Sequence, residues 1–501
     1  MTKNKSKRSM RAYQELYSRF HRLHQLSHLG SMANWDSATM MPSGSHQARA
    51  DAMAELQVIM HQHVAAPDWS ELFDKAREEQ LDNWQSANLN EMFVEWQNRS
   101  LLPEDLVREK SQAGARCEHA WRTQRGQNDW AGFAENLRPV VELSRREATI
   151  RAEARGCSRY DALLNLYEPG MTSETLDRIF GEVSSWLPEL IQKVAQKQQS
   201  EQFDEPKGPF SIPSQEALGR EVMSQLGFDF NAGRLDVSMH PFCGGVPEDV
   251  RITTRYDESD FTQSLMGVVH ETGHARYEQN LPRELISQPV ATARSMGVHE
   301  SQSLLFEMQI GRHPNFLELI QPVIHKHFGH QPELSLGNLQ TLYTRVKPGL
   351  IRVDADEVTY PAHVILRYEI EKALVEGEME VDDIPDQWNV RMKQYLGLNT
   401  EGDYKNGPMQ DIHWTDGSFG YFPSYTLGAM YAAQQFAAIR RQLPDIDRMI
   451  AEGELAPVFD WLKQNIWSQG SCHDTDTLMK NATGEVLNPE YFKQHLESRY
   501  L

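Results

Sequence analysis

Residues 250–274, VRITTRYDESDFTQSLMGVVHETGH, change their period part-way through. Val250, Ile252 and Thr254 alternate with Arg251, Thr253 and Arg255, the two-residue repeat of a short strand over 250–256. From Phe261 the apolar positions are Phe261, Leu265, Val268 and Val269, which is the three-to-four repeat of a helix. A strand therefore leads into a helix, and that helix carries His270-Glu271-Thr272-Gly273-His274. Residues i and i+4 share one helix face, so both imidazoles can reach a single ion. Glu271, one step further round, is placed to hold a water beside such an ion rather than to bind it. For these reasons the HExxH pattern marks zinc metallopeptidases.

Working outward, the helical period dominates. Tyr13, Leu16, Tyr17, Phe20, Leu23 and Leu26 form one apolar stripe. After the turn YEPGMTSE, where Thr172 or Ser173 can cap, Leu176, Phe180, Val183, Leu187 and Leu190 form a second. Pro188 falls inside it and is expected to kink that helix or end it near Leu187. Leu455, Phe459, Leu462 and Ile466 give a third stripe near the other end. Two segments read as loops, 199–215 with its three prolines and 397–424 with its Gly and Asp residues. The chain shows no internal repeat and no low-complexity tract. The expected architecture is mainly α, a large helical body with a small β-sheet beside it.

Composition bounds the function. The chain has 501 residues and a formal charge of −21, from 50 Lys plus Arg against 71 Asp plus Glu. Nucleic acids and anionic membranes are bound through basic stripes, so this balance argues against both as partners. Length alone suggests three domains. The continuous helical pattern favours instead a single peptidase domain over 1–501, with a helical lid region at 1–200 and a catalytic core at about 220–501. Cys117, Cys157, Cys243 and Cys472 are scattered and form no CxxC pair, as in a reduced cytoplasmic protein. The basic opening MTKNKSKRSMRAYQ precedes no apolar run of the kind that export requires, and no stretch approaches the roughly 20 apolar residues of a membrane span.

A zinc site takes three protein ligands and keeps one open position. The H-x-x-G-x-x-H continuation of metzincins is absent, so a carboxylate from a second helix is the better third ligand. In ATARSMGVHESQSLLFEMQI the residue Glu300 follows His274 by 26 positions, enough for a helix end, a turn and a new helix. Glu307, two turns along the same face, and the adjacent His299 are rivals.

The chain resembles the Taq-type (thermostable) metallocarboxypeptidase family at several further motifs. His240-Pro241-Phe242 matches HPF, Asp249–Thr253 matches DxRxT, and His299-Glu300-Ser301-Gln302 matches HES/GQ. Ile351–Asp356 matches IRxxAD and Gly407–Trp414 matches GxxQDxHW. With HExxH these are six motifs, complete and in family order. The segments NWDSATMMPSG (34–44) and YDALLNLYEPGMT (160–172) are also similar. The resemblance implies a helical body with a deep active-site groove, and one zinc ion per subunit with cobalt or manganese as substitutes. It also implies a homodimer and stepwise, broadly specific release of amino acids from peptides with a free C-terminus. His270, His274 and Glu300 would be ligands, and Glu271 the general base and acid.

Other residues follow from that chemistry. A tetrahedral intermediate carries an oxyanion that needs placed donors. His413 and Tyr421 are the candidates, by analogy with the angiotensin-converting-enzyme type of site, and Tyr425 is the alternative hydroxyl. A substrate carboxylate suits the planar fork of arginine. Arg352 is the first choice and Arg251 the second, each with an internal alternative: Arg352 pairing Asp354 or Asp356, and Arg251 pairing Asp249. His240 is expected to orient local structure and His299 to support a ligand. The competing functions are a zinc oligopeptidase that cuts internally within a closed groove and a non-catalytic peptide-binding scaffold.

Overall fold

The computed structural model describes residues 11–501, and most of the basic opening stretch lies outside the described residues. Four helices come first: α1 (Arg11–Thr39), α2 (His46–Val64), α3 (Trp69–Arg77) and α4 (Asn83–Ser100). The stripe read at Tyr13, Leu16, Phe20 and Leu23 is buried, and it meets Met60, Trp69, Phe73, Leu89 and Met92 in a core of its own. The start of α4 is fixed by a capping box between Asp82 and Gln85, which satisfies two amides that a helix end leaves open.

The main core begins with α5 (Glu104–Gln124), α6 (Trp130–Arg155), α7 (Arg159–Leu164) and α8 (Ser173–Gln198). Thr172 caps α8 by accepting from the Thr175 amide. Contrary to expectation, α8 does not end near Leu187 but runs through Pro188 to Gln198. Leu187, Leu190, Ile191 and Val194 are all buried along one stripe. At roughly 1.5–3 kcal/mol per buried aliphatic side chain, that outweighs the ~3 kcal/mol cost of an interior proline.

After α9 (Ile212–Gln225) comes the sheet: β1 (Gly233–Val237), β2 (Cys243–Val246) and β3 (Asp249–Thr254). Its order is β1-β3-β2, with β1 parallel and β2 antiparallel to the central strand. The strand read at 250–256 is β3. It leads into α10 (Phe261–Glu278), which is capped by Asp260. One face of α10 puts Val268 and Ala275 into a small core with Leu235, Val250 and Ile252, while Leu265, Val269 and Tyr277 join the main core. Apolar residues on both sides thus lock the rotation of the HExxH helix.

The rest of the chain wraps this helix. α11 (Met296–Leu304) continues into a π-helix, Leu305–Gly311, and then α12 (Pro314–Phe328) and α13 (Leu336–Tyr343). α14 (Tyr360–Glu376), α15 (Ile384–Leu396) and α16 (Pro423–Gln442) follow. The chain closes with α17 (Ile446–Glu452), α18 (Ala456–Asn465), α19 (Thr475–Thr483) and α20 (Glu490–Tyr500). α16, rich in Ala and buried over most of its length, packs along α11. No helix among the described residues is long and apolar enough to cross a membrane.

Candidate metal centre

The two HExxH imidazoles are held from behind. His270 Nδ1 lies 2.9 Å from Glu307 Oε2, and His274 Nδ1 lies 2.6 Å from His299 Nδ1. His299 is anchored in turn by Glu278, 2.7 Å from its Nε2. With both Nδ1 atoms engaged, the Nε2 atoms converge on Glu300, whose Oε2 is 3.9 Å from that of His270 and 3.3 Å from that of His274. Among the described residues, His270, His274 and Glu300 are the one group whose ligand atoms gather within 4.8 Å. Their side chains keep 22, 15 and 14% of their surface exposed, so the cluster is open on one side. Of the two rivals for third ligand, Glu307 and His299 both stand behind the imidazoles, where such groups fix ring orientation and tautomer.

Glu271 sits beside this cluster, buried, with Oε2 lacking any hydrogen-bond partner. Burial, followed by the charge of Glu300, pushes its carboxyl up to about 7 against the pull of His270. His270 itself is raised to about 10: burial opposes this, but Glu300, Glu307 and Glu271 overcome it. Burial depresses His274 to about 4. Burial works against Glu307 as well, yet Arg312 and His270 hold it down at about 2. Three carboxylates therefore make this a place that attracts positive charge. The donor set of two nitrogens and one oxygen, beside an orphaned carboxylate oxygen, fits a divalent metal with one open position.

Two glycines set where Glu300 stands. A Cβ on Gly273, inside the HExxH motif, would lie 2.4 Å from the Gln302 carbonyl oxygen and 2.6 Å from Ser303 Cα. A Cβ on Gly428 of α16 would lie 2.6 Å from Glu300 Cγ. α11 is thus gripped between α10 and α16 by contacts that only glycine permits. The remaining polar residues of its motif face a buried amide network: Gln302 Nε2 donates to Gln435 Oε1 (2.9 Å), and Gln435 Nε2 donates to Ser301 Oγ (3.0 Å). Trp467 Nε1 donates to Gln302 Oε1 at 2.8 Å. At the helix start the buried Glu168, from the YEPGMT segment, accepts from the Gly297 amide and from Ser424 Oγ (2.7 Å), tying α11 to α16 again.

The second group of expected residues gathers separately. His413 Nε2 is 3.2 Å from the Tyr425 hydroxyl, and the His413 ring lies 5.6 Å from that of Tyr421. Arg352 stands over the Tyr425 ring at 4.9 Å. Each of its three nitrogens has a partner, with one N–H left over on each Nη: Nε and Nη2 reach Asp411 Oδ1 at 3.1 and 2.9 Å, and Nη1 donates to the Tyr360 hydroxyl at 2.7 Å. The internal partner is therefore Asp411, 59 positions away, and not Asp354 or Asp356. Asp356 instead accepts from the amides of Val358 and Thr359 ahead of α14. Asp411 Oδ2 also accepts from Arg367 Nε at 2.7 Å. Burial, and then Arg352, lowers His413 to about 4, which leaves it neutral near pH 7.

Arg251 joins neither group. It pairs Asp249 (Nη2–Oδ2 2.6 Å) and lies 4.3 Å over Trp35, from the NWDSATMMPSG segment. Thr253 Oγ1 accepts from the Phe242 amide at 3.0 Å, fastening HPF to β3. His240 is exposed, and its carbonyl accepts from Ser238 Oγ. Sequence reasoning missed Arg367, Asp411 and the buried Glu371. Glu371 accepts from Tyr160 Oη (2.6 Å), Trp414 Nε1 (3.2 Å) and the Gly420 amide (3.1 Å), so it pins both ends of the loop carrying His413 and Tyr421. The stretch ILRYEIEKALV holds two acids, Glu369 and Glu371, beside Arg367 and Lys372, so its pattern gave no signal that singled out the buried one.

Comparison with known proteins extends over nearly the whole chain. Residues 15–500 match the family model described as carboxypeptidase Taq (M32) metallopeptidase. Thermostable carboxypeptidase 1 of Thermus thermophilus is 37% identical over 501 residues, covering 98% of each chain. Carboxypeptidase 1 of Bacillus subtilis is 34% identical, covering 97% of each. Among solved structures, Trypanosoma cruzi metallocarboxypeptidase 1 is 49% identical with a TM-score of 0.97, covering 98% of this chain and 100% of that one.

Proposed function

Because the chain belongs to the carboxypeptidase Taq (M32) metallopeptidase family and is a metallocarboxypeptidase, we propose that its divalent ion is zinc, one per subunit, held by His270, His274 and Glu300. Cobalt or manganese would serve as substitutes. The observation that carries this reading is the convergence of three donor atoms, with both Nδ1 atoms occupied, beside a carboxylate oxygen that has no partner. Bound there, the ion would acidify a water and polarise the scissile carbonyl.

The chain's own residues do the rest. Glu271, with a carboxyl at about 7, takes the proton as water attacks and hands it to the leaving amine. His413 and Tyr421 donate to the oxygen that gains charge. Arg352 and Tyr425 receive the substrate carboxylate, with Arg251 as the second choice. Two guanidiniums, Arg352 and Arg367, share one carboxylate, Asp411, so that cluster keeps a surplus positive charge even with Arg352 engaged. Amino acids leave the C-terminus one at a time, with little regard to side chain.

The whole chain acts as one peptidase body, with α1–α4 and their separate core as the lid within 1–200. It works in the cytoplasm as a homodimer, and its four cysteines are all free. The deciding assay offers one peptide with a free and with an amidated C-terminus. A ladder of single-residue losses from the free form alone is expected, and equal cleavage of both would favour an internally cutting oligopeptidase.

A further inference from the structure

The side chain that orients His270 stands on an unusual piece of backbone. Glu307 lies in the π-helix Leu305–Gly311, closed by the Arg312 amide donating to the Glu307 carbonyl at 2.9 Å. π-helical turns are rare, cluster at functional sites, and depend on surroundings that hold them in place. One wall here is α10: a Cβ on Gly311 would lie 3.1 Å from Val269 Cγ1, next to His270 in sequence. The other support comes from the far end of the sequence. Arg499 Nη1, on α20, donates to the Met308 carbonyl oxygen inside the π-turn, beside Glu307.

Arg499 is itself fixed by a buried carboxylate. Glu357, whose side chain has no exposed surface, lies 3.4 Å from Arg499 Nη1. The same group accepts from the Tyr500 hydroxyl at 2.8 Å and contacts His495 Nε2, so three residues of α20 meet on it. On the other side of the π-turn, Arg312 Nη2 donates to Glu307 Oε1 at 2.6 Å, while Glu307 Oε2 faces His270 Nδ1. Polar contacts at either end, joined by the backbone of the π-turn from Met308 to Glu307, therefore link α20 to the metal centre, although about 190 residues separate Arg499 from Met308 in the chain. None of Arg499, Tyr500 or Glu357 contacts the ligand atoms, so any effect they have on the centre passes through the π-turn and Glu307.

We propose that α20 is a positioning element for the metal centre: Arg499, held by Glu357, fixes the π-turn and so the Glu307 carboxylate that orients His270. This rests on the reading of His270, His274 and Glu300 as zinc ligands. Groups that orient a metal-binding imidazole are typically worth 10–100-fold in metal affinity, and one contact further out Arg499 is expected to be worth about tenfold.

The test measures zinc affinity of the full chain by competition with a chromogenic chelator, together with the melting temperature of the metal-free protein. Arg499→Met keeps the aliphatic stem and removes the guanidinium. It is expected to weaken zinc binding of the folded protein about tenfold and, because the buried Glu357 loses a counter-charge, to lower the metal-free melting temperature as well, while Arg499→Lys should recover most of the affinity. Zinc affinity equal to wild type in Arg499→Met, or a loss of metal-free stability with affinity unchanged, overturns the proposal. Should Arg499→Met not fold, Tyr500→Phe decides: a two- to threefold loss of affinity supports it and no change overturns it. A wild-type protein that binds no zinc, or an His270→Ala variant that binds it normally, would instead remove the ligand assignment underneath.

Discussion

Around His270 and His274 the neighbouring charges are carboxylates, whereas around His413 they are guanidiniums. On the first side Glu271, Glu300 and Glu307 surround two imidazoles and raise one of them to about 10 against the effect of burial. On the second, Arg352 and Arg367 share Asp411, and burial together with those arginines depresses His413 to about 4. His270 and His413 are thus pushed in opposite directions by the charges around them, while burial depresses His274 on the first side as well. α16 touches both sides, with Tyr425 in its first turn and Gly428 against Glu300. The difference separates two tasks by sign: one side gathers a cation, the other is suited to an anion, and each should persist when the other is damaged.

The largest test of that separation is Glu271→Gln. Hydrolysis should fall about 10²–10⁴-fold while zinc content measured by metal analysis stays at wild type. Appreciable residual activity would break the assignment of the proton carrier. Next comes Asp411→Asn, which leaves two buried guanidiniums without their counter-charge. It should cost about 3–5 kcal/mol in a urea melt, with one zinc still bound per chain. Loss of zinc in that variant would show that the two sides are not independent. Gly428→Ala is smaller and should strike the metal side through packing, because the new methyl meets Glu300 Cγ at 2.6 Å. A cost of about 1–3 kcal/mol is expected, read as weaker zinc binding as well as a lower melting temperature.

The smallest effect is in pH. Burial works against ionisation of Asp411, but Arg367 and Arg352 hold its carboxyl well below the ordinary 3.8. The unfolded chain takes up that proton first as pH falls, so the stabilisation is full above about pH 4 and fades below it. The stability gap between wild type and Asp411→Asn should therefore narrow between pH 5 and pH 3. A constant gap would mean that the charge of Asp411 is not what matters.

The same contrast explains what could be read from the sequence. His270, Glu271 and His274 sit within one helical turn and a half, so their spacing already states their geometry. Glu300 needed the family resemblance to separate it from Glu307 and His299, because the roles of the three depend on a π-turn and on ring orientation that no periodicity encodes. The guanidinium side is assembled from segments dozens of residues apart, and the Arg352–Asp411 pair was therefore hidden behind the nearer Asp354 and Asp356. In the fold, β3 was legible by alternation, but β2, with the sequence CGGV, has too few side chains to alternate. Pro188 does not end its helix because local backbone chemistry is outweighed by a long buried stripe.

The separate core beneath α1–α4 has a mechanical consequence. That layer meets the remainder through polar and cation–π contacts, among them Trp35 under Arg251, Asn88 with Gln288 and Glu91 with Arg294, while its apolar core stays its own. Elements with their own core and few ties to the rest tend to open as a unit. Amide hydrogens in α1–α4 should then exchange with solvent together and sooner than those of α16. On the lid reading proposed above, how often that layer opens would set the pace at which peptides enter.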